Sequence, residues 1–243
     1  MKNDIAILLF HQGWTDIFNS LPLIDYYAPK YKNIYLLIRK DSKDIVDFYI
    51  RKKSNIQPIY VDINLLNNVN PIKYLAQLDL FNYDILFHGN YDVYRTTKYV
   101  GQFYKNRNLY FVKSFYVPYG IDYLNRINLF IFERDYNMEN KKYLEFTKIY
   151  GEKYILYHGI DKPKYNNINI ASLDNITKIF FDYIKILENS IEMHLLDSVW
   201  GAFVYLLGCK YKLFTNKKIY IYCKRNHNEM FSDPMKLENF VLL

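Results

Sequence analysis

A chain of 243 residues and 29.5 kDa suits one large domain or two small ones, and 51% hydrophobic with 23% charged residues excludes a disordered chain. With 8 Gly and 7 Pro it is neither fibrous nor low-complexity, and its two cysteines, Cys209 and Cys223, exclude a disulfide framework and a CxxC metal site. The formal charge of +7 is spread evenly, 17 basic and 13 acidic residues up to Asp135 against 15 and 12 beyond it, so no basic stripe marks a nucleic-acid binder.

The aromatic share is 19%, with 27 Tyr and 17 Phe. The wider excess falls on Ile, Asn, Lys and Tyr, all encoded by AT-rich codons, which favours genomic bias over an aromatic binding platform. Ile5-Ala6-Ile7-Leu8-Leu9-Phe10 is a continuous apolar run, the pattern of a strand buried on both faces. It is too short for a signal peptide, and no stretch approaches the roughly 18 apolar residues of a membrane span. A soluble cytoplasmic protein with inert thiols is expected.

A loop over residues 11–15 leads to a helix expected from Asp16, with Ile17, Leu21, Ile24 and Ala28 at helical spacing. Ile34-Tyr35-Leu36-Leu37-Ile38 reads as a second buried strand, with Asp41-Ser42 capping a helix to about Arg51. Residues 58–61 and 84–87 read as the third and fourth strands, with a helix near 72–80 between them. Residues 94–150 read as mostly helical.

A second cycle opens with a strand over residues 153–157, a loop from His158 and a short strand at 168–170. A helix is expected over 175–187 and a strand over 192–196. Asp197 is expected to cap a further helix reaching about Leu207. Strands at 211–214 and 219–222 finish the sheet, and residues 240–243 read as a last short strand. Strand–helix alternation of this kind implies right-handed crossovers and parallel sheets. The expected organisation is two Rossmann-like units, residues 1–135 and 136–243, the second abbreviated. Arg134 is expected to form an interdomain ion pair.

Ligands of open α/β sheets bind beyond the carboxyl ends of the strands. That rule selects the segment from His11 to Asp16, the region of His88 and Asp92, the segment from His158 to Lys164, and Asp197-Ser198. Neither the dinucleotide fingerprint G-x-G-x-x-G nor the phosphate loop G-x-x-x-x-G-K-[ST] occurs. His11, His88, His158 and His194 all fall at or near strand ends; each is either a hydrogen-bonded structural histidine or part of the ligand edge. None carries metal-ligand spacing, so no metal is expected. Lys224-Arg225-Asn226-His227 reads as a solvated basic loop.

Within the run from Thr15 to Pro22, a proline seven positions into an amphipathic helix sacrifices a backbone hydrogen bond. The bland reading is helix capping by Thr15 or Asp16. Asp16-Ile17-Phe18-Asn19-Ser20-Leu21-Pro22-Leu23-Ile24, directly after the first strand, resembles the N-terminal signature of bacterial lipopolysaccharide heptosyltransferases, in which Gly-Asp is followed by five residues, Pro and apolar residues. Thr15 stands at the family's Gly, with Gly13 two positions earlier. His194-Leu195-Leu196-Asp197-Ser198-Val199-Trp200-Gly201 resembles the family's Asp-Thr/Ser-Gly turn, with Val199 at the Gly and Ala202 at a following His.

This resemblance implies the GT-B arrangement, two α/β units facing across a cleft. It implies a metal-independent glycosyltransferase with no cofactor, moving a sugar from a nucleotide-activated donor to a glycan or other hydroxyl acceptor. Asp16 takes the family's general-base position, with His11 close enough to share it. His158, Lys162, Lys164, His194, Asp197 and Ser198 fall on the donor side, where a lysine neutralises phosphate. Gln12, Gly13, Thr15 and His88 fall on the acceptor side. A catalytically silent nucleotide- or carbohydrate-binding protein on the same scaffold is the alternative, and a nucleic-acid-associated factor a weaker third.

Overall fold

The computed structural model describes residues 4–8, 13–62, 84–87, 112–176, 179–223 and 238–243. The chain divides into two compact units, Met1–Ile131 and Phe132–Leu243. Both are α/β, and every strand pair in both is parallel.

In the first unit, β1 (Ile5–Leu8), β2 (Ile34–Arg39), β3 (Ile56–Val61) and β4 (Asp84–Phe87) form a sheet in the order β3-β2-β1-β4. Ile34, Leu36, Leu37 and Ile38 are all buried, so β2 loses both faces to the core as its unbroken apolar run requires. Pro58 sits in β3 at the end of that order, where a missing N–H costs least. Helices α1 (Trp14–Tyr27) and α2 (Lys43–Ile50) bury Ile17, Phe18, Leu21, Leu23 and Ile24 and Ile45, Val46 and Tyr49.

Helix α1 begins two residues earlier than the sequence suggests, because extended Gly13 caps it and Trp14 and Thr15 already have helical geometry. Pro22 lies inside it. Side chains also donate to carbonyls of this helix: Asn19 Nδ2 to Thr15 O (2.9 Å), Ser20 Oγ to Ile17 O (3.0 Å), and the Tyr116 hydroxyl to Asn19 O. Later in this unit comes a single helical turn, α3 (Asn125–Asn128), and the hydroxyl of Tyr49 in α2 donates to Asp25 Oδ2 and accepts from Ile131 N–H.

The second unit opens with α4 (Tyr136–Tyr150), capped by Asp135 accepting from Met138 N–H. Strands β5 (Tyr154–His158), β6 (Asn169–Ser172), β7 (Glu192–Leu196), β8 (Ile219–Tyr222) and β9 (Phe240–Leu242) follow in the order β6-β5-β7-β8-β9. The link from β6 to β7 holds a 3₁₀ turn (Phe180–Tyr183) and α5 (Ile184–Asn189), shorter than the single helix expected there. Helix α6 (Val199–Tyr211) joins β7 to β8 and is buried at every position from 200 to 209. The strand expected at 211–214 does not form. Those residues end α6 and turn back through left-handed Lys212 and Phe214.

Arg134 is ion-paired within the second unit. Its guanidinium grips Glu139 and Glu188, both in the second unit, and these carboxylates outweigh burial to hold its pKa above the usual range. Lys217 is buried, and its ammonium donates to the carbonyls of Leu187, Glu188 and Ser190 where α5 ends. Among the described residues no helix is long and apolar enough to cross a membrane. Sequence features at Asp92 and residues 72–80, 94–111 and 224–227 lie outside the described residues.

Candidate active site

Each sheet contains one switch point. In the first, the chain leaves β1 for β2 on one side and later returns to β4 on the other; in the second, β6 and β7 flank β5 in the same way. The crevice beyond such a strand is where open α/β sheets bind ligands.

At the first switch point lies the junction of β1 and α1. The Gly13 N–H donates to Asp16 Oδ2 (3.0 Å), the backbone half of a capping box, which places Asp16 at the third helical position rather than at the cap. Its carboxylate is half-buried in the first turn of the helix. Thr15 is half-buried, and its carbonyl receives Asn19. His11, Gln12 and His88 lie outside the described residues.

At the second switch point three strand ends converge. The Ser198 hydroxyl lies 3.0 Å from His158 Nδ1, and His158 Nε2 lies 3.6 Å from Asp174 Oδ1. A ring nitrogen turned towards a carboxylate keeps its proton, which leaves Nδ1 to accept from Ser198. Burial pushes the His158 pKa down, and the Asp174 charge only partly opposes this. Asp174 is itself held by the Gly159 N–H (2.9 Å) and the Ser172 hydroxyl (2.8 Å).

Gly159 is in the left-handed region (φ +68°), and a Cβ there would stand 2.9 Å from Leu196 Cβ. Only glycine lets the end of β5 come this close to the end of β7.

The cap of α6 is Ser198, not Asp197. The Ser198 hydroxyl turns to His158 and makes no capping bond, so it leaves the first N–H groups of α6 to other acceptors. Asp197 is buried, and its N–H extends the sheet to Tyr222 O (3.1 Å). Burial and the Asp197 charge together push the Cys223 thiol up.

Lys162 and Lys164 are exposed on the connection between β5 and β6, residues 159–168, which contains no helix. His194 stands apart from this group. It is the central residue of β7, with Nδ1 against the Tyr222 hydroxyl and Nε2 against Glu192. Asp174 was missed by sequence reading, although the strand-end rule applied to the short β6 points straight at it. No three His, Cys, Asp or Glu among the described residues group as a metal site.

No family model matches this sequence, and no curated protein does. Among solved structures, the fold matches a glycosyl transferase family 9 protein from Veillonella parvula at a TM-score of 0.53 and 11% identity, over 99% of this chain and 85% of that one. The fold is one that a glycosyltransferase uses. E. coli heptosyltransferase WaaC, solved with ADP-2-deoxy-2-fluoro heptose, aligns at a TM-score of 0.40 and 12% identity over 99% of this chain and 92% of its own.

Proposed function

We propose that this chain is a glycosyltransferase that moves a sugar from a nucleotide-activated donor to an acceptor hydroxyl without a metal ion. One observation carries the reading: both units of a fold held in common with a family 9 glycosyltransferase present a polar strand–helix junction at a switch point. The first unit takes the acceptor, through Gly13 and Thr15, with His11, Gln12 and His88 assigned from the sequence. The second takes the donor.

Asp16 removes the acceptor proton as that oxygen bonds to the anomeric carbon. The bond from that carbon to the diphosphate breaks, and the diphosphate leaves with the electron pair. Lys162, Lys164 and the N–H groups at the start of α6 offset its charge. Neutral His158 orients Ser198 beside it, and Asp197 holds the turn.

A specific feature favours the alternative of a silent nucleotide- or carbohydrate-binding protein: Asp16 already serves its own helix by binding Gly13 N–H. Calorimetry with nucleoside diphosphates and nucleotide sugars, followed by a transfer assay, tests both readings. Binding that survives EDTA together with sugar transfer supports the transferase, whereas binding without turnover supports the silent protein. No nucleotide response, with steeply salt-dependent duplex binding, overturns both.

A further inference from the structure

The two faces of the second sheet differ sharply. Leu156, Met193 and Ile219 are register partners on a buried face. One residue on, Tyr157, His194 and Tyr220 are partners on the other face, where both tyrosines are half-exposed. Right-handed crossover geometry would place a helix from the β5–β6 connection over this second face. The connection is instead ten residues without a helix, and it carries Lys162 and Lys164.

Tyr165 belongs to this connection. Its hydroxyl bonds to Glu192 and lies 3.0 Å from His194 Nε2. His194 Nε2 is 2.6 Å from Glu192 Oε1, Nδ1 is 2.9 Å from the Tyr222 hydroxyl, and the ring stacks on Tyr220 at 4.7 Å. One proton assignment satisfies every group. Tyr165 O–H and His194 Nε2–H both donate to the Glu192 carboxylate, and Tyr222 O–H donates to Nδ1. The strands thus offer a prebuilt acceptor, and the imidazole that presents it is fixed on three sides.

We propose that Tyr165 is a positioning residue: by tying the helix-free connection to Glu192 and His194, it restrains the stretch that leaves the carboxyl end of β5 and carries Lys162 and Lys164, so that these lysines meet the diphosphate of the donor from a fixed course. This rests on the transferase reading of the donor side. Lys164 adjoins Tyr165, and Lys162 is three residues away, within about 10 Å along even a fully extended chain. A tethered segment pays less ordering entropy when its lysines engage an anion. His194 accordingly acts through the tether rather than on the donor itself.

The test compares wild type, Tyr165→Phe, the double variant Lys162→Ala/Lys164→Ala, and the triple variant. Calorimetry with ADP, GDP and UDP gives affinity, and hydrogen exchange follows residues 159–164. Tyr165→Phe is expected to weaken diphosphate binding about tenfold, the order of one hydrogen bond to a charged group. It should also speed exchange in the connection while β5 and β7 keep their protection. In the background lacking both lysines, the same change should cost nothing further, because a residue acting through the lysines is coupled to them. A loss of equal size in both backgrounds overturns the proposal, since a general structural role gives that result. If wild type binds and the lysine variant does not, but Tyr165→Phe binds as wild type, the tether alone is wrong. If wild type binds none of the three, the donor reading and this inference both fall.

Discussion

The two switch points are built by different means. At β1–α1 the polar contact is local, between Gly13 and Asp16, three residues apart in the chain. At the ends of β5, β6 and β7 the contacts span far more chain: Ser198 meets His158 across 40 residues and Asp174 meets Gly159 across 15. A local junction survives as long as its helix does. A junction assembled from three strand ends depends on the whole sheet, and a distant substitution can open it.

The local junction rests on Asp16. Asp16→Asn should lower turnover by about 10²–10⁴-fold, the range for a lost acid–base group. Asp16→Ala should match that loss and also lower stability by about 1 kcal/mol, as for a lost cap. A transfer assay beside urea unfolding checks both, and turnover of Asp16→Asn near wild type would leave Asp16 only its capping-box bond to Gly13.

On the assembled side, Gly159→Ala should cost about 2–3 kcal/mol, from left-handed strain and overlap with Leu196 together. Urea unfolding measures it, and diphosphate binding should weaken as the β5 and β7 ends separate. The corresponding change at the local junction, Gly13→Ala, meets nothing nearer than Asp16 Oδ2 at 3.8 Å and should cost a few tenths to 1 kcal/mol. Equal losses at the two glycines would erase the distinction.

Lys217 gives the second unit a dependence on pH. Burial lowers its pKa to about 8, so the unfolded chain holds this proton more tightly than the folded one. Stability should therefore rise with pH from about 8 towards 10.5, by roughly 1.4 kcal/mol per unit of depression. The difference between wild-type and Lys217→Met unfolding curves isolates this slope, and its absence would show that the Leu187, Glu188 and Ser190 carbonyls hold the ammonium charged.

The smallest effect concerns His158. Its imidazole should titrate below the ordinary histidine value in an NMR titration, and Asp174→Asn should lower it further by removing the one charge that opposes burial. An upward shift in that variant would place the Nε2 proton elsewhere.

This contrast also explains what the sequence reveals. Buried strands such as Ile34–Arg39 announce themselves through unbroken apolar runs, and Asp16 through a motif compressed into nine residues. The strand-end rule finds His158 and Ser198. It does not say that they touch, because the approach is set by Gly159 and Leu196 at the ends of different strands. His194 misleads for the same reason. Its position near a strand end is visible, but the Tyr165, Glu192 and Tyr222 hydrogen bonds that occupy it come from tertiary packing. The apolar stretch at 211–214 misleads differently: hydrophobicity suits a strand, but α6 runs on through Tyr211 before left-handed Lys212 stops it.

Helix α6 has a consequence for biosynthesis. A helix apolar on every side needs cover on every side, and α6 obtains it from chain made before and after it. Phe180 lies 4.5 Å from Trp200 between ring centroids and Phe181 5.2 Å from Phe203, whereas Tyr205 leans on Phe240 at 5.7 Å. Because chains emerge N-terminus first, α6 leaves the ribosome with one flank bare until Phe240 has been made. During that interval it is the natural target for a chaperone that recognises apolar segments. Phe240→Ala would extend the same exposure into the finished protein, and it should appear as a lower soluble yield before any loss of activity.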